Sequence, residues 1–482
     1  MKLVGEPQKV LDFFYAINQI PRPSNHEKAI SDFLVNFAKE RNLEVYQDEF
    51  YNVIINKPAT PGYENRPSVI LQGHMDMVPE KTKESTHNFE TDPIEMTIED
   101  GWIRAKDTTL GADNGIAVAM TLAVLDSNDI EHGPLQALFT ATEETGMDGA
   151  ANLDPSKLHG QYLLNLDTEE EEEFIVGCAG GMRLDLKLPL LKDHVSNELK
   201  AALQIHVHGL KGGHSGIEIH QQRANANQLL ARILFQFSKE IPFEMAFYDG
   251  GTKHNAITNE ATTIIAIRED HVNAIKTILQ DWQQEFRHEF SPQDPDILVE
   301  ATEVPVPELV YAPATMEALV NFFFLAPHGV VGMSQNLPGL VETSLNLAIA
   351  KEADRTMEIL ISIRSSNVSS LSYLKERIIQ LSKVLGITAA PKGSYPAWEY
   401  RPGGTLEQEA ATVYERVFGR KPEVKAVHAG LECGLLGEKL PNTQMLSFGP
   451  TIKGAHTPRE KANVESIRKI YEYLLLLLKE LK

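Results

Sequence analysis

At 482 residues, with 42% hydrophobic and 23% charged side chains, the chain reads as a globular protein with room for roughly two or three domains. Its net charge of -22 argues against nucleic acid as a partner, because phosphate binding needs clustered Lys and Arg, and it suits cation binding instead. Cys178 and Cys433 stand far apart with no metal-type spacing, which points away from a disulfide framework and towards a reducing compartment.

Residues 7–41 carry helical spacing in two stretches, with Val10, Phe13, Phe14 and Ile17 on one face and Ile30, Phe33, Leu34 and Phe37 on the next. Pro21-Arg22-Pro23-Ser24-Asn25 separates them, and Ser24 or Asn25 is the expected cap of the second helix. Strands are expected at 43–47, 52–56 and 68–72, then a short pair within 96–103 around Asp100-Gly101. The glycine-punctuated loop Asp107 to Gly115 opens a helix over 116–125. Apolar strands at 134–142 and 162–166 then run into Glu143-Glu144 and Asp167. Strands alternating with helices predict an α/β domain with a mostly parallel sheet.

From about Arg183 the pattern changes. A strand at 203–208, the loop Gly212-Gly213-His214-Ser215-Gly216 and a helix at 224–237 precede strand 262–268 and helix 272–286. Strand 357–364 and helix 371–385 repeat that last unit, each strand closing on Ile-Arg, so an α+β middle domain of two related halves is expected. The α/β pattern resumes with helix 406–418, strand 444–448, His456 and a final helix at 464–481. The expected domains are 1–184 plus 399–482, interrupted by 185–398. Residues 1–10 hold no long apolar run and no span approaches the length of a membrane helix, so a cytoplasmic protein with no membrane partner is expected.

The chemistry lies at the strand ends. His74 leaves a strand with Asp76 two residues on, and such a carboxylate accepts the second ring N–H of a metal-bound imidazole. Glu143, Glu144 and Asp167 follow later strands, Asp113 opens a helix, and His456 lies just beyond the last strand. Ligands of open α/β sheets bind at the carboxyl ends of strands. Two histidines with several carboxylates there make a mixed nitrogen and oxygen site suited to zinc, cobalt or manganese rather than calcium or magnesium.

Together His74-Met75-Asp76, Gly111-Ala112-Asp113-Asn114-Gly115, Ala141-Thr142-Glu143-Glu144, Asn165-Leu166-Asp167 and His456-Thr457-Pro458 resemble the M20 metallopeptidases, over essentially the whole chain. The Gly-Ala-Asp-Asn-Gly form and the long middle domain resemble the aminoacyl-histidine dipeptidase branch. That resemblance implies a dinuclear centre, most often of zinc. His74 and Asp167 would bind one metal, Glu144 and His456 the other, with Asp113 shared. Glu143 would be the general base and Asp76 would orient His74. The implied activity is hydrolysis of dipeptides, Xaa-His among them, by a homodimer whose middle domain acts as lid and dimerisation domain.

The resemblance also assigns His214 to the tetrahedral oxyanion and Asn255 to the substrate carboxylate. Either Arg364 or Arg268 would complete the carboxylate clamp. Arg364 is preferred, because Glu269-Asp270 follows Arg268 whereas two serines follow Arg364. Glutamates 169–173 read as a solvated loop, with attraction of a substrate ammonium as the alternative; Glu432 is another candidate for that ammonium.

Overall fold

The apolar runs that end beside the candidate ligands are strands buried at every position: Val69–His74, Leu135–Thr140 and Tyr162–Asn165. Burial on both faces is what central parallel strands require. Val69–His74 indeed pairs in parallel with both of the others, and Gln444–Ser447 adds in parallel beside Tyr162–Asn165. Antiparallel strands flank this centre, Val53–Lys57 and Glu44–Gln47 on one side and Glu173–Cys178 on the other, within an eight-stranded sheet. The computed structural model that carries this sheet describes residues 3–482.

The chain divides into two units, Met1–Gly177 with Tyr400–Ala426 and Leu431–Lys482, and Cys178–Glu399 with Val427–Gly430. The second unit begins at Cys178 rather than at 185, because Gly180–Pro189 is one strand, paired along its length with Thr356–Ser365.

Helix Ala112–Asp126 is buried on nearly all sides. Its alanines let it approach the sheet closely. At Gly73 a Cβ would lie 2.4 Å from Asn114 Oδ1 and 2.8 Å from Ala117 Cβ, so only glycine fits under the helix. Asp113 and Asn114 depart from helical backbone angles, so the regular helix begins after Asn114, close to the expected 116, and Glu460, far along the chain, holds the amides of the preceding turn. The second helix, Lys28–Glu40, corrects the expected cap: Glu27 precedes it with no side-chain cap bond, while Ser24 and Asn25 lie outside it. Met96–Glu99 and Trp102–Ala105 form the expected short pair about Asp100-Gly101, both in the left-handed region.

The second unit is built on a nine-stranded sheet whose pairings are all antiparallel. One half runs Leu298–Val304, Ala201–His208, Ala261–Ile267, Phe243–Gly250 across the sheet. The other half runs Thr388–Tyr395, Gly180–Pro189, Thr356–Ser365, Val341–Ala353. In chain order each half reads last, first, third, second, and each places a helix, Val272–Glu289 or Val368–Val384, between its third and last strands. The two related halves meet where Gly250 pairs with Ala350.

Candidate metal centre

In the first unit the strand ends bring His74, Asp113, Glu143, Glu144, Asp167 and His456 together. Asp113 occupies the middle. Its Oδ1 lies 3.0 Å from His74 Nε2 and its Oδ2 lies 3.0 Å from His456 Nε2, so one carboxylate is divided between two imidazoles. Asp167 Oδ1 is 3.5 Å from His74 Nε2, and Glu144 Oε2 is 3.1 Å from His456 Nε2. His74, Asp113 and Asp167 each offer a ligand atom within 4.8 Å of the others, as do Asp113, Glu144 and His456. His74 with Glu143 and Glu144 is a third such group. Glu144 Oε1 is buried without a hydrogen-bond partner. Two clusters sharing one carboxylate, with an unpartnered carboxylate oxygen among them, fit a pair of divalent cations with mixed nitrogen and oxygen donors.

Asp76 does more than face His74. Its Oδ1 lies 3.4 Å from His74 Nδ1 and accepts the Glu143 amide at 3.1 Å. Its Oδ2 accepts the Ser24 hydroxyl at 2.7 Å and the Glu144 amide at 3.3 Å. These amide bonds hold Glu143–Thr145 as a 3₁₀ turn after Thr142, which has φ 55. Glu144 reaches His456 from this turn, while Glu143 has no side-chain hydrogen bond or ion pair among the described residues.

Sequence reasoning missed three supports. Glu460 accepts four successive amides, Leu110 and Gly111 on Oε2 and Ala112 and Asp113 on Oε1, at 2.7–3.1 Å. Buried Arg22 donates to the carbonyls of Met75, Asp76 and Gly111 and to Asn18 Oδ1, tying the chain after His74 to the loop before Asp113. Asn114 accepts the His74 amide and donates to the Leu166 carbonyl, stitching three ligand-bearing segments together. The signal for Glu460 was its place four residues after His456; Arg22 was read only as part of a helix break.

The electrostatics are those of an anionic pocket. Burial opposes charge on His74, but Asp167, Asp113 and Asp76 outweigh it and raise its pKa well above the usual imidazole range. Hydrogen bonds to Asp113 and Glu144 push His456 up to about 11. Burial, with Asp113 and Glu144 beside it, lifts Asp167 to about 6 against the pull of His74. Burial drives Glu143 well above the ordinary carboxylate value despite His74, with Asp167, Glu432 and Glu144 adding to the rise. Glu432 is also buried; its Oε2 accepts from Gln72 Nε2 and Thr140 Oγ1, both at 2.7 Å.

The second unit brings its own three predicted residues together. His214 Nδ1 accepts the amides of Gly216 and Ile217, which leaves the ring proton on Nε2 as a free donor. The bridge between His214 and Ala256, and the Ser215 amide on the Asn255 carbonyl, set Asn255 beside His214. A Cβ on Gly216 would meet His214 Cε1 at 3.0 Å and Arg364 Cζ at 3.2 Å, so the imidazole and guanidinium flank this glycine. Arg364 donates to Tyr395 Oη at 2.7 Å, and its Nε is buried without a partner. Arg268 instead forms a two-point ion pair with Asp270 at 3.0 and 2.6 Å. Tyr395 and His428, the latter bonded to Ser344 Oγ, complete a cluster whose members sequence reasoning did not connect.

With this geometry in hand, the relatives agree on one family. Residues 70–480 match the model of peptidase family M20/M25/M40. The chain is 38% identical over 475 residues to the cytosol non-specific dipeptidase of Escherichia coli, covering 98% of each. Among solved structures it is similar to aminoacylhistidine dipeptidase from Vibrio alginolyticus, with TM-score 0.95, 37% identity, and coverage of 99% of this chain and 97% of that one. Aminopeptidase PepT from Bacillus cereus, at TM-score 0.55 and 16% identity over 98% of each chain, shares the fold.

Proposed function

The chain belongs to peptidase family M20/M25/M40, and from that premise we propose that it is a metal-dependent dipeptidase, hydrolysing the peptide bond of dipeptides that include Xaa-His. The observation that carries this reading is the Asp113 carboxylate divided between His74 and His456, in a chain alike over 98% of its length to a dipeptidase. His74, Asp113 and Asp167 would hold one cation, and Asp113, Glu144 and His456 the other. Zinc suits these donors best, with cobalt or manganese also compatible. Bound there, the pair supplies Lewis acidity and a water acidic enough to act as nucleophile near neutral pH.

The chain's own residues do the rest. Glu143 sits next to Glu144 with its carboxylate uncommitted, so it takes the proton of the attacking water and passes it to the leaving amine. Asp76 fixes the His74 ring from behind and holds the turn that aims Glu143. The Nε2–H of His214 is the donor for the oxyanion. Asn255 and Arg364 take the substrate carboxylate, and Arg364 is preferred over Arg268 because Asp270 already occupies the latter. We extend to this chain the cytosolic location in the Escherichia coli relative's name, and we propose a homodimer on the family resemblance alone. Among the described residues no helix is long and apolar enough to cross a membrane.

The test is a panel of dipeptides, tripeptides and N-acyl amino acids with the metal-loaded protein; dipeptides should be cleaved far faster than the others. Glu143→Ala should lower turnover by about 10²- to 10⁴-fold with metal content unchanged. Near wild-type turnover in that variant would sink the mechanism.

A further inference from the structure

A guanidinium that binds a substrate carboxylate has to be free of protein anions and held still. Arg364 meets the first condition. Among the described residues no carboxylate pairs with it, its one hydrogen bond runs to Tyr395, and its Nε is buried without a partner. Strand register supplies the second condition. Arg364 pairs with Gly181 on the neighbouring strand, and Gly181 pairs in turn with Tyr395 on the strand beyond. Residues opposite one another across adjacent strands put their side chains on one face, and here the middle one has none. The two long side chains close over that gap, Nη1 of Arg364 donating to Tyr395 Oη at 2.7 Å. A Cβ at position 181 would lie 2.4 Å from that oxygen, and one at 430 would lie 2.9 Å from Cε2 of the same ring. Two glycines thus form the slot that fixes the phenol.

Because Tyr395 Oη accepts from Arg364, its own O–H points elsewhere, and among the described residues that proton has no acceptor. Burial raises the Tyr395 pKa against the pull of the Arg364 charge, so the hydroxyl keeps its proton near neutral pH. A guanidinium and a hydroxyl therefore present unspent donors side by side, with the His214 ring on the far side of Gly216. The other half of the repeat lacks each part. Ile267 pairs with Ala201, so continuing that register puts Lys200 opposite Arg268, where Gly181 stands opposite Arg364. Leu298–Val304 ends at the partner of Ala202, so that strand supplies no counterpart of Tyr395. Arg268 turns to Asp270 instead.

We propose that Tyr395 is a second carboxylate-binding residue, its hydroxyl donating to the C-terminal carboxylate of the dipeptide beside the Arg364 guanidinium that it holds in place. The inference rests on the dipeptidase reading. It follows that a ligand lacking the carboxylate leaves both donors unpaired, which is how a polar site rejects an analogue of nearly the same shape.

Tyr395→Phe deletes only the hydroxyl. In the metal-loaded protein it should raise KM for glycyl-histidine by about 10- to 100-fold, the scale of a lost hydrogen bond to a charged group, with kcat within about twofold. Glycyl-histamine is the same molecule without its carboxyl group. As a competing ligand it should bind wild type and Tyr395→Phe with inhibition constants within about twofold of each other, because it offers the hydroxyl nothing to lose. Gly181→Ala, which drives a Cβ against the hydroxyl, should reproduce the KM rise with Tyr395 still present. An unchanged KM in Tyr395→Phe, a fall in kcat alone, or equal weakening of both ligands would overturn the assignment. A wild type that cleaves acyl-amino acids or longer peptides but not glycyl-histidine overturns the dipeptidase reading, and this assignment with it.

Discussion

Histidine behaves in opposite ways at the candidate metal centre of the first unit and in the interior of the second, although burial lowers His87 and His132 elsewhere in the first unit. In the first, His74 and His456 are drawn towards the protonated state, by carboxylates that outweigh burial at one and by direct hydrogen bonds at the other. In the second, burial holds His328 down to about 4, and burial with the Arg364 charge holds His428 down to about 3. His214 is lowered as well, by burial first and Arg364 next. The same side chain therefore reports the sign of its surroundings. On the proposed assignments the first unit would take cations, whereas the second, with Arg364 near imidazoles of lowered pKa, would take an anion such as a peptide carboxylate.

The largest effect that could break this comparison comes from the cation side. His74→Ala should remove one metal of the pair and lower activity by about a thousandfold, since metal stabilisation of the reacting charge is worth several kcal/mol. Metal analysis that finds the pair intact would refute the assignment. On the anion side, Arg364→Ala should raise KM by about 10- to 100-fold, the scale of lost charged hydrogen bonds, while Arg268→Ala changes it by less than about twofold. If Arg268 carries the effect, the carboxylate binds in the other half of the repeat.

Asp76→Asn should cost less than the loss of His74, about tenfold in metal affinity or rate. It should also speed hydrogen exchange at the amides of Glu143 and Glu144, which Asp76 accepts. Equal losses from the two substitutions would contradict their division of labour.

The smallest effect is the pH dependence of stability in metal-free protein, and its sign differs between His456 and the buried His328 and His428. His456 is raised from 6.5 to about 11, so its contribution is complete below pH 6.5 and is lost as pH rises towards 11. His328 and His428 are depressed from 6.5, so the unfolded chain binds protons first as pH falls, and stability drops between 6.5 and about 4 or 3. Hydrogen exchange resolved by peptide should show the segments around His456 loosening in base and those around His328 and His428 loosening in acid. A common trend in both would erase the contrast.

What could be read from the chain was what local pattern encodes. Each ligand stands at the end of an apolar run, so strand, lip and donor type were legible together, as with His74 after Val69–Gly73. The repeat of the middle unit was legible through its Ile-Arg strand ends at Arg268 and Arg364. Supports that act across the fold were not. Glu460 and the loop it clamps are separated by about 350 residues, and no spacing rule joins them. Ser24 looked like a helix cap because Ser before a helical run is the usual cap signal, yet its hydroxyl is taken by Asp76. The turn at Glu143-Glu144 left no local signal because it depends on the Asp76 carboxylate from a distant segment. In each case a tertiary partner outcompeted the local rule.

The Glu460 clamp bears on the order of events during synthesis. The loop that presents Asp113 borrows four hydrogen bonds from a residue translated long after it, and His456 comes from the same late segment. A ribosome moving at about 5–20 residues per second reaches Glu460 tens of seconds after Asp113. Until then the nascent chain has His74, Glu143, Glu144 and Asp167 but neither the clamp nor the last imidazole. On the proposed role of His456, a polysome-bound product arrested before residue 456 should be inert towards dipeptides even when metal is plentiful.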